Sequence, residues 1–392
     1  MFSLLLAIIY LAFISLGLPD SLLGSAWPVI HKEFSVDVSY MGIITIIISG
    51  CTIISSLFSD KLNRKFKTGI ITGVSILLTA IALFGFSISS NFLMLVLFAF
   101  PYGLGAGAID ASLNNYVALH YKSSHMSWLH CFWGVGTIIS PNIMSYCLGT
   151  SKGWKMGYRY VAIIQLVIAI VIFSTLFLWK KNSKGNNNEE VEPANLSFKE
   201  KLKIKGLFLI IFGFFGYCAA ESTLMNWTST YLVKGRGIDE VSAAAYGSLF
   251  FIGMTIGRFI SGFISNKLGD KKLIRIGAAI AITSVLLISI PNIYVTIACL
   301  ILTGIGCGPI YPSIIHSTPI NFGKENSQAI IGRQMAAAYT GSTFMSPVFG
   351  LIANYVNIKL FPLFLIFFFC LMVVMIELLN RYVKKKNAKN ML

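Results

Sequence analysis

The sequence predicts an all-α membrane protein, with twelve transmembrane helices in two six-helix bundles and both termini in the cytoplasm. Three observations lead to this fold class. The mean hydropathy is +0.76, charged residues make up 12% of the chain against 56% hydrophobic ones, and long apolar runs recur from end to end. A soluble protein has about twice this charged fraction, and about 20 apolar residues suffice for a helix to cross a bilayer.

The apolar runs define the domain organisation. They predict twelve spans, at residues 3–30, 39–60, 68–88, 92–121, 126–148, 155–179, 206–233, 240–265, 273–290, 293–318, 327–356 and 359–380. The polar stretch 180–205 is too poor in apolar residues to form a core, which is typical of a linker. We therefore expect an N-terminal bundle over 1–179, a cytoplasmic linker over 180–205, and a C-terminal bundle over 206–392 that ends in a short basic tail.

The distribution of basic residues predicts the orientation. Most of the 31 Lys and Arg residues lie in the linker, in the tail and in the loops on their side of the predicted membrane. Positively charged loops stay in the cytoplasm. The net charge of +16 thus reflects topology and contact with the lipid bilayer, and we expect no nucleic-acid partner.

An internal repeat supports two equivalent halves. Asp20-Ser21 corresponds to Glu221-Ser222, "GLGAG" at 103–107 to "GIGCG" at 304–308, and "TIISP" at 137–141 to "TFMSP" at 343–347. The pairs occur in the same order at nearly constant spacing. Parallel repeats of this kind occur in transporters whose two bundles rock about a central site, and we take the glycine runs as helix-packing surfaces.

Two loops carry the most specific motif. "SLFSDKLNRKFKT" follows span 2 and "GFISNKLGDKKL" follows span 8, and both resemble the loop signature of the major facilitator superfamily. The resemblance covers essentially the whole chain and implies the two-bundle fold. It also implies that Asp60, Arg64 and Lys65 form a gating charge cluster, the alternative being a solvated loop.

Three further segments narrow the resemblance. "GAIDASLNNYVALH" is similar to the fourth span of fucose-permease-type sugar symporters, where an acid is followed four residues later by Asn. "YCAAESTLMNW" and "GCGPIYP" resemble the seventh and tenth spans of related glucose transporters. The resemblance implies a secondary active transporter that imports a monosaccharide-like, hydroxyl-rich solute with a proton.

Asp110 is the candidate for proton coupling. A charged carboxylate costs about 2.5–3.5 kcal/mol at the centre of a bilayer, and a carboxyl group in apolar surroundings is more stable when neutral. An acid there can therefore load and release a proton as its environment changes. Asn114 follows at i+4 and shares the same helix face. The structural alternative is a neutral Asp that hydrogen-bonds a neighbouring helix.

Asp20 and Glu221 are the candidate sugar ligands, because carboxylates accept hydrogen bonds from vicinal hydroxyls and the repeat makes the two positions equivalent. For Asp20 the alternative is local: "GLPDS" at 17–21 could break the helix, with Asp20 capping its outer half. Residues that could complete the site carry amides, imidazoles or aromatic rings. They are Asn114, Asn115, His130 (which the resemblance places at a sugar-contacting position), His316, Trp27, Trp133, Asn226, Trp227 and Tyr311.

The sequence also limits the functions to consider. It has no metalloprotease, nucleophile-elbow or phosphate-loop motif, so we expect no enzyme, no cofactor and no metal site. We expect a monomeric multi-pass protein of the cell membrane. Two alternatives remain: a sodium-coupled sugar transporter, with the ion at the 17–21 break, and a drug or metabolite exporter on the same fold.

Overall fold

The computed structural model describes residues 4–37, 40–150, 153–179, 200, 202–238 and 240–389, and helices dominate these ranges. Eight helical stretches among them are long and apolar enough to cross a membrane. The twelve-span count and the cytoplasmic termini stay predictions. The chain divides into two compact units, Met1–Tyr116 with Trp128–Pro193, and Val117–Ser127 with Ala194–Leu392. Most of the predicted linker lies outside the described residues, so its boundaries also stay predictions.

The first unit is built from the helices of the N-terminal half. They are α1 (Leu4–Asp20), α2 (Leu22–Glu33), α3 (Met41–Ile88), α4 (Phe92–His120), α5 (Ser123–Leu148) and α6 (Gly153–Ser174), of which α4 and α5 also supply the segment that groups with the second unit.

Two elements of this unit add detail to the sequence prediction. Spans 39–60 and 68–88 both lie within α3, which is two helices joined at Lys67, where the backbone leaves helical geometry (φ 57°, ψ 150°). The connection expected at 61–67 is therefore helical up to that residue. The single span 3–30 is interrupted only at Ser21, between the end of α1 at Asp20 and the start of α2 at Leu22, and Leu4–Trp27 still forms one stretch long enough to cross a membrane. Pro19 lacks the N–H that would continue the helix.

The second unit holds the helices of the C-terminal half. They are α7 (Leu207–Thr230), α8 (Glu240–Leu268), α9 (Asp270–Leu287), α10 (Ile293–Cys307), α11 (Ile310–His316), α12 (Thr318–Phe322), α13 (Lys324–Ile352) and α14 (Phe361–Lys389). Short π-helical segments follow α7 and α13, at Tyr231–Gly235 and Ala353–Asn357, and a 3₁₀ turn at Ile358–Leu360 precedes α14. The predicted span 293–318 is interrupted at Pro309, which caps α11.

The two glycine runs pack in the same way in their own units. A Cβ on Gly103 would lie 2.2 Å from the carbonyl oxygen of Ile48 on α3, and one on Gly304 would lie 2.2 Å from that of Phe250 on α8. Only glycine permits backbones to approach this closely. The runs therefore serve as packing surfaces, as the sequence predicts.

Candidate functional site

Asp20 lies at the end of α1, between two aromatic side chains of the same unit. The Tyr102 hydroxyl donates to Oδ1 at 3.2 Å, and the Trp133 indole N–H donates to Oδ2 at 2.9 Å. Asp20 itself is exposed. Its carboxylate bonds to α4 and α5 and makes no helix cap, since α2 has no side-chain cap. Each carboxylate oxygen can accept more than one hydrogen bond, so capacity for further donors remains.

Close contact between α1 and α5 fixes the position of Trp133 relative to Asp20. A Cβ on Gly17 would lie 2.1 Å from the carbonyl oxygen of Trp133, and one on Gly136 would lie 2.3 Å from that of Ile14. The two backbones therefore touch at this level. Beyond the break, the Ser21 hydroxyl donates to the carbonyl of Thr137 at 2.8 Å, which ties the start of the next helix to α5 as well.

Asp110 lies in a buried hydrogen-bonded chain two turns further along α4. The Asn114 amide donates to Asp110 Oδ1 at 2.8 Å, and the Asn114 Oδ1 faces His130 Nε2 at 3.2 Å. All three side chains are buried: Asp110 is 4% exposed, Asn114 0% and His130 5%. Because an amide oxygen can only accept, His130 carries its hydrogen on Nε2. The predicted pairing of Asp110 with Asn114 on one helix face is present.

The same two helices carry both groups. Tyr102 and Asp110 are eight residues apart on α4, about 12 Å along the axis. His130 and Trp133 are three residues apart on α5, so they share a face. A shift of α5 against α4 would therefore change the hydrogen bonds around the exposed Asp20 and those of the buried chain that includes Asp110 at the same time.

The remaining candidates of the first unit are held in its interior. Trp27 is 3% exposed, and its ring lies 6.3 Å from those of His31 and Phe92. Asn115 is 8% exposed. Neither is brought to the Asp20 carboxylate by a hydrogen bond in the structure, so their roles stay predictions.

Glu221 is the centre of a comparable group in the second unit. Its Oε1 accepts from the Tyr217 hydroxyl at 2.9 Å and lies 3.5 Å from the guanidinium of Arg258, with side chains 13% and 7% exposed respectively. Tyr217 also contacts the Cys307 carbonyl at 2.9 Å. Glu221 thus differs from its repeat mate Asp20: it is paired with a buried cation.

Three further candidates of the second unit are tied to neighbouring helices. The Trp227 indole donates to the Ser346 carbonyl at 2.9 Å, and the Asn226 amide donates to the Ser346 hydroxyl at 3.0 Å. The Tyr311 hydroxyl contacts the sulfur of Met335 at 3.4 Å. Its ring lies 6.3 Å from that of Tyr217. Tyr311 is therefore the one of the three that is placed beside the Glu221 group.

His316 belongs to a different group of the second unit, at the end of α11. Its Nδ1 lies 2.7 Å from the Asp270 carboxylate, and its Nε2 lies 3.1 Å from the Tyr121 carbonyl. The Ser123 hydroxyl donates to the other Asp270 oxygen at 2.5 Å. Since both ring nitrogens face acceptors, a doubly protonated imidazole satisfies this geometry. His316 therefore holds the segment 117–127 and lies apart from the Glu221 group.

The predicted gating cluster is only partly assembled. Asp60 is 3% exposed and lies 3.7 Å from Arg64 one turn later. Lys65 instead stands over the ring of Phe66, 5.1 Å from its centroid. The Asn63 amide donates to the Ser112 hydroxyl at 2.7 Å, which joins this end of α3 to α4. The gating role stays a prediction.

One acidic group lies beyond the membrane-spanning part of α1 and α2. Glu33 accepts from the Trp154 indole at 2.5 Å and lies 3.0 Å from the Lys155 ammonium. Partial burial opposes ionisation, but the indole hydrogen bond and the lysine charge outweigh it, so the pKa of Glu33 lies below its usual 4.5. This carboxylate is a natural comparison for Asp20, because both accept from an indole.

Three polar residues that the sequence did not single out make contacts in the structure: Tyr102 at Asp20, Arg258 at Glu221, and Gln165 at Ser15 and Thr79. Arg258 was visible as a charge within an apolar span, and Gln165 as a lone amide within "YVAIIQLVIAIV"; polar residues inside membrane spans mark functional or structural contacts. Tyr102 gave no such signal, because tyrosine is an ordinary residue of membrane proteins. Among the described residues, no group of three His, Cys, Asp or Glu side chains is arranged to hold a metal.

Comparison with known proteins identifies the family to which this architecture belongs. The model of the Major Facilitator Superfamily matches residues 9–290 and 243–391. Bypass of stop codon protein 6 of Saccharomyces cerevisiae is 22% identical over 90% of this chain and 77% of its own length. The glucose/mannose transporter GlcP of Bacillus subtilis is 22% identical over 87% of this chain and 86% of its own.

Among solved structures, the E. coli fucose:proton symporter FucP shares the fold. It superposes with a TM-score of 0.78 at 18% identity, covering 96% of this chain and 98% of FucP. The family match spans nearly the whole chain and agrees with the loop motifs after spans 2 and 8. The chain therefore belongs to the Major Facilitator Superfamily, and is a multi-pass transporter of the cell membrane and not an enzyme.

Proposed function

We propose that this transporter imports a monosaccharide-like, hydroxyl-rich solute together with a proton. The observation that carries the proposal is the exposed Asp20 carboxylate, bracketed by the Trp133 indole and the Tyr102 hydroxyl. A sugar offers hydroxyls to a carboxylate and C–H faces to aromatic rings. The similarity to GlcP and to FucP supports this substrate class.

The buried chain from Asp110 through Asn114 to His130 is the proposed coupling device. When Asp110 is ionised, the Asn114 amide points its N–H at the carboxylate and its oxygen at His130. A proton on Asp110 removes the charge that the Asn114 N–H faces and turns one carboxylate oxygen into a donor, which weakens this hydrogen bond of the chain. Because His130 shares a face of α5 with Trp133, proton loading is linked to the sugar-binding side chains.

Sodium is the second candidate for the coupling ion. The helix breaks at Ser21, directly after the exposed Asp20, and interrupted helices supply carbonyl oxygens for sodium in other transporters. Sodium coupling predicts that the ion binds at the break, so that Asp20 has a direct role in ion affinity. Proton coupling predicts that Asp20 affects sugar affinity alone.

A binding screen followed by a transport assay tests the proposal. Purified protein is first melted with a panel of monosaccharides, with and without sodium, because a ligand of the native state raises the melting temperature. The stabilising sugar is then added to de-energised cells. Alkalinisation of the medium, independent of whether sodium or potassium is present, supports proton symport. Uptake that requires sodium without proton movement contradicts it, and stabilisation by hydrophobic drugs but by no sugar would favour the exporter.

A further inference from the structure

The break in α1 leaves a backbone carbonyl without its helical donor. In an unbroken helix the carbonyl of Ser15 would accept from the N–H of residue 19, but Pro19 has none. Ser15 is 1% exposed, so bulk solvent does not take the place of that donor. An unsatisfied backbone group inside a membrane costs several kcal/mol, and the position therefore needs a substitute.

Gln165 supplies that substitute from α6. Its Nε2 donates to the Ser15 carbonyl at 2.5 Å. Its Oε1 accepts from the Ser15 hydroxyl at 2.7 Å and from the Thr79 hydroxyl at 3.3 Å. The Gln165 side chain is 0% exposed. One amide group therefore satisfies the carbonyl that Pro19 frees and holds α1, α3 and α6 together at this level.

The amide lies close to the sugar-binding candidates without touching them. A cavity of about 10 Å³ is lined by Ser15, Pro19, Thr79 and Tyr102, among others, which is about the room that one water molecule occupies. Tyr102 is the residue whose hydroxyl donates to Asp20. The two residues whose hydroxyls donate to the Gln165 amide oxygen, Pro19 and a partner of Asp20 thus line one small space.

We propose that Gln165 is a positioning residue for Asp20: by replacing the donor that Pro19 removes, it sets the direction in which α1 ends and so aims the Asp20 carboxylate at Trp133. The contacts at Gly17 and Gly136 hold α1 and α5 at a fixed distance, and Gln165 fixes the last turn of α1 within that frame. The positioning of Asp20 by Gln165 stands whether or not a sugar binds. Only its consequence, a sugar site of fixed shape, rests on the proposed function.

The test uses 5-fluorotryptophan protein and ¹⁹F NMR, with the Trp133 and Trp227 signals assigned by Phe substitutions. Gln165→Leu keeps the volume and removes the amide. We expect the Trp133 signal to move most of the way to its position in Asp20→Ala, where the indole has lost its acceptor. The Trp227 signal, from the other unit, should stay in place, which shows that the second unit keeps its fold.

A double-mutant cycle with Pro19→Ala separates positioning from packing. The alanine substitution restores a backbone N–H to the Ser15 carbonyl, so Gln165→Leu should have little additional effect on the Trp133 signal in that background. This background also serves if Gln165→Leu alone fails to fold. An unmoved Trp133 signal in Gln165→Leu, or an equal displacement with and without the Pro19→Ala change, overturns the proposal. Because no sugar is added, these results are independent of whether Asp20 binds one.

Discussion

Removal of the Asp20 charge is the perturbation with the clearest expected magnitude. Asp20→Asn keeps the shape of the side chain but replaces a charged acceptor pair by one neutral acceptor and one donor. A hydrogen bond to a charged group contributes about 1.5–3 kcal/mol, which corresponds to about a ten- to hundredfold rise in the dissociation constant of the sugar. The loss should be at the upper end if the new donor faces the Trp133 N–H, which lies 2.9 Å from Oδ2.

The assay is isothermal titration calorimetry with the monosaccharide that most stabilises the wild-type protein. Glu33→Gln is the matched control, because Glu33 is also a carboxylate that accepts from an indole, Trp154, yet it lies outside the proposed site. We expect the control to bind within about threefold of wild type. The reasoning is refuted if Asp20→Asn binds as tightly as Glu33→Gln while the protein remains folded.

Three further predictions follow from buried and close-packed groups and are read by thermal unfolding in detergent. Arg258→Met removes the cation beside Glu221 and should cost about 3–5 kcal/mol, part of which returns when Glu221→Gln is added; a full loss in the double variant contradicts the pairing. Gly136→Ala should cost about 1–3 kcal/mol by overpacking, whereas Gly134→Ala, whose Cβ would meet nothing within 4 Å, should not destabilise. The Glu33 contacts should contribute about 0.2–1 kcal/mol to the free energy of unfolding. Since the pKa of Glu33 in the folded protein is below 4.5, the stability difference between wild type and Glu33→Gln should be present at pH 7 and should fade as the pH falls below that value. A stability difference that grows in acid contradicts the lowered pKa.

Local periodicity accounts for what the sequence predicts correctly. The apolar runs locate the helices, and the loop motifs identify the family. The four-residue spacing of Asp110 and Asn114 places the two side chains in contact on one turn, because i and i+4 share a helix face. None of these inferences requires knowledge of how one helix is rotated against another.

Contacts between helices account for what the sequence does not predict. Asp20 and Trp133 are both predicted sugar ligands, but their hydrogen bond depends on the backbone contact at Gly17 and Gly136. Gln165 acquires its role only because Pro19 frees a carbonyl on another helix. His316 could complete the site by its residue type alone, but its ring contacts Asp270 and the carbonyl of Tyr121, two partners distant in sequence.

In the proposed mechanism, a proton that Asp110 carries drives sugar import. The most direct measurement compares uphill accumulation with exchange of labelled sugar in proteoliposomes under an imposed pH gradient. Asp110→Asn keeps a side chain that can hydrogen-bond Asn114 but cannot ionise, so the variant should exchange labelled for unlabelled sugar at a rate close to wild type and should not accumulate it. If Asp110→Asn accumulates sugar against a sugar gradient, driven by the pH difference as in wild type, Asp110 does not carry the coupling proton.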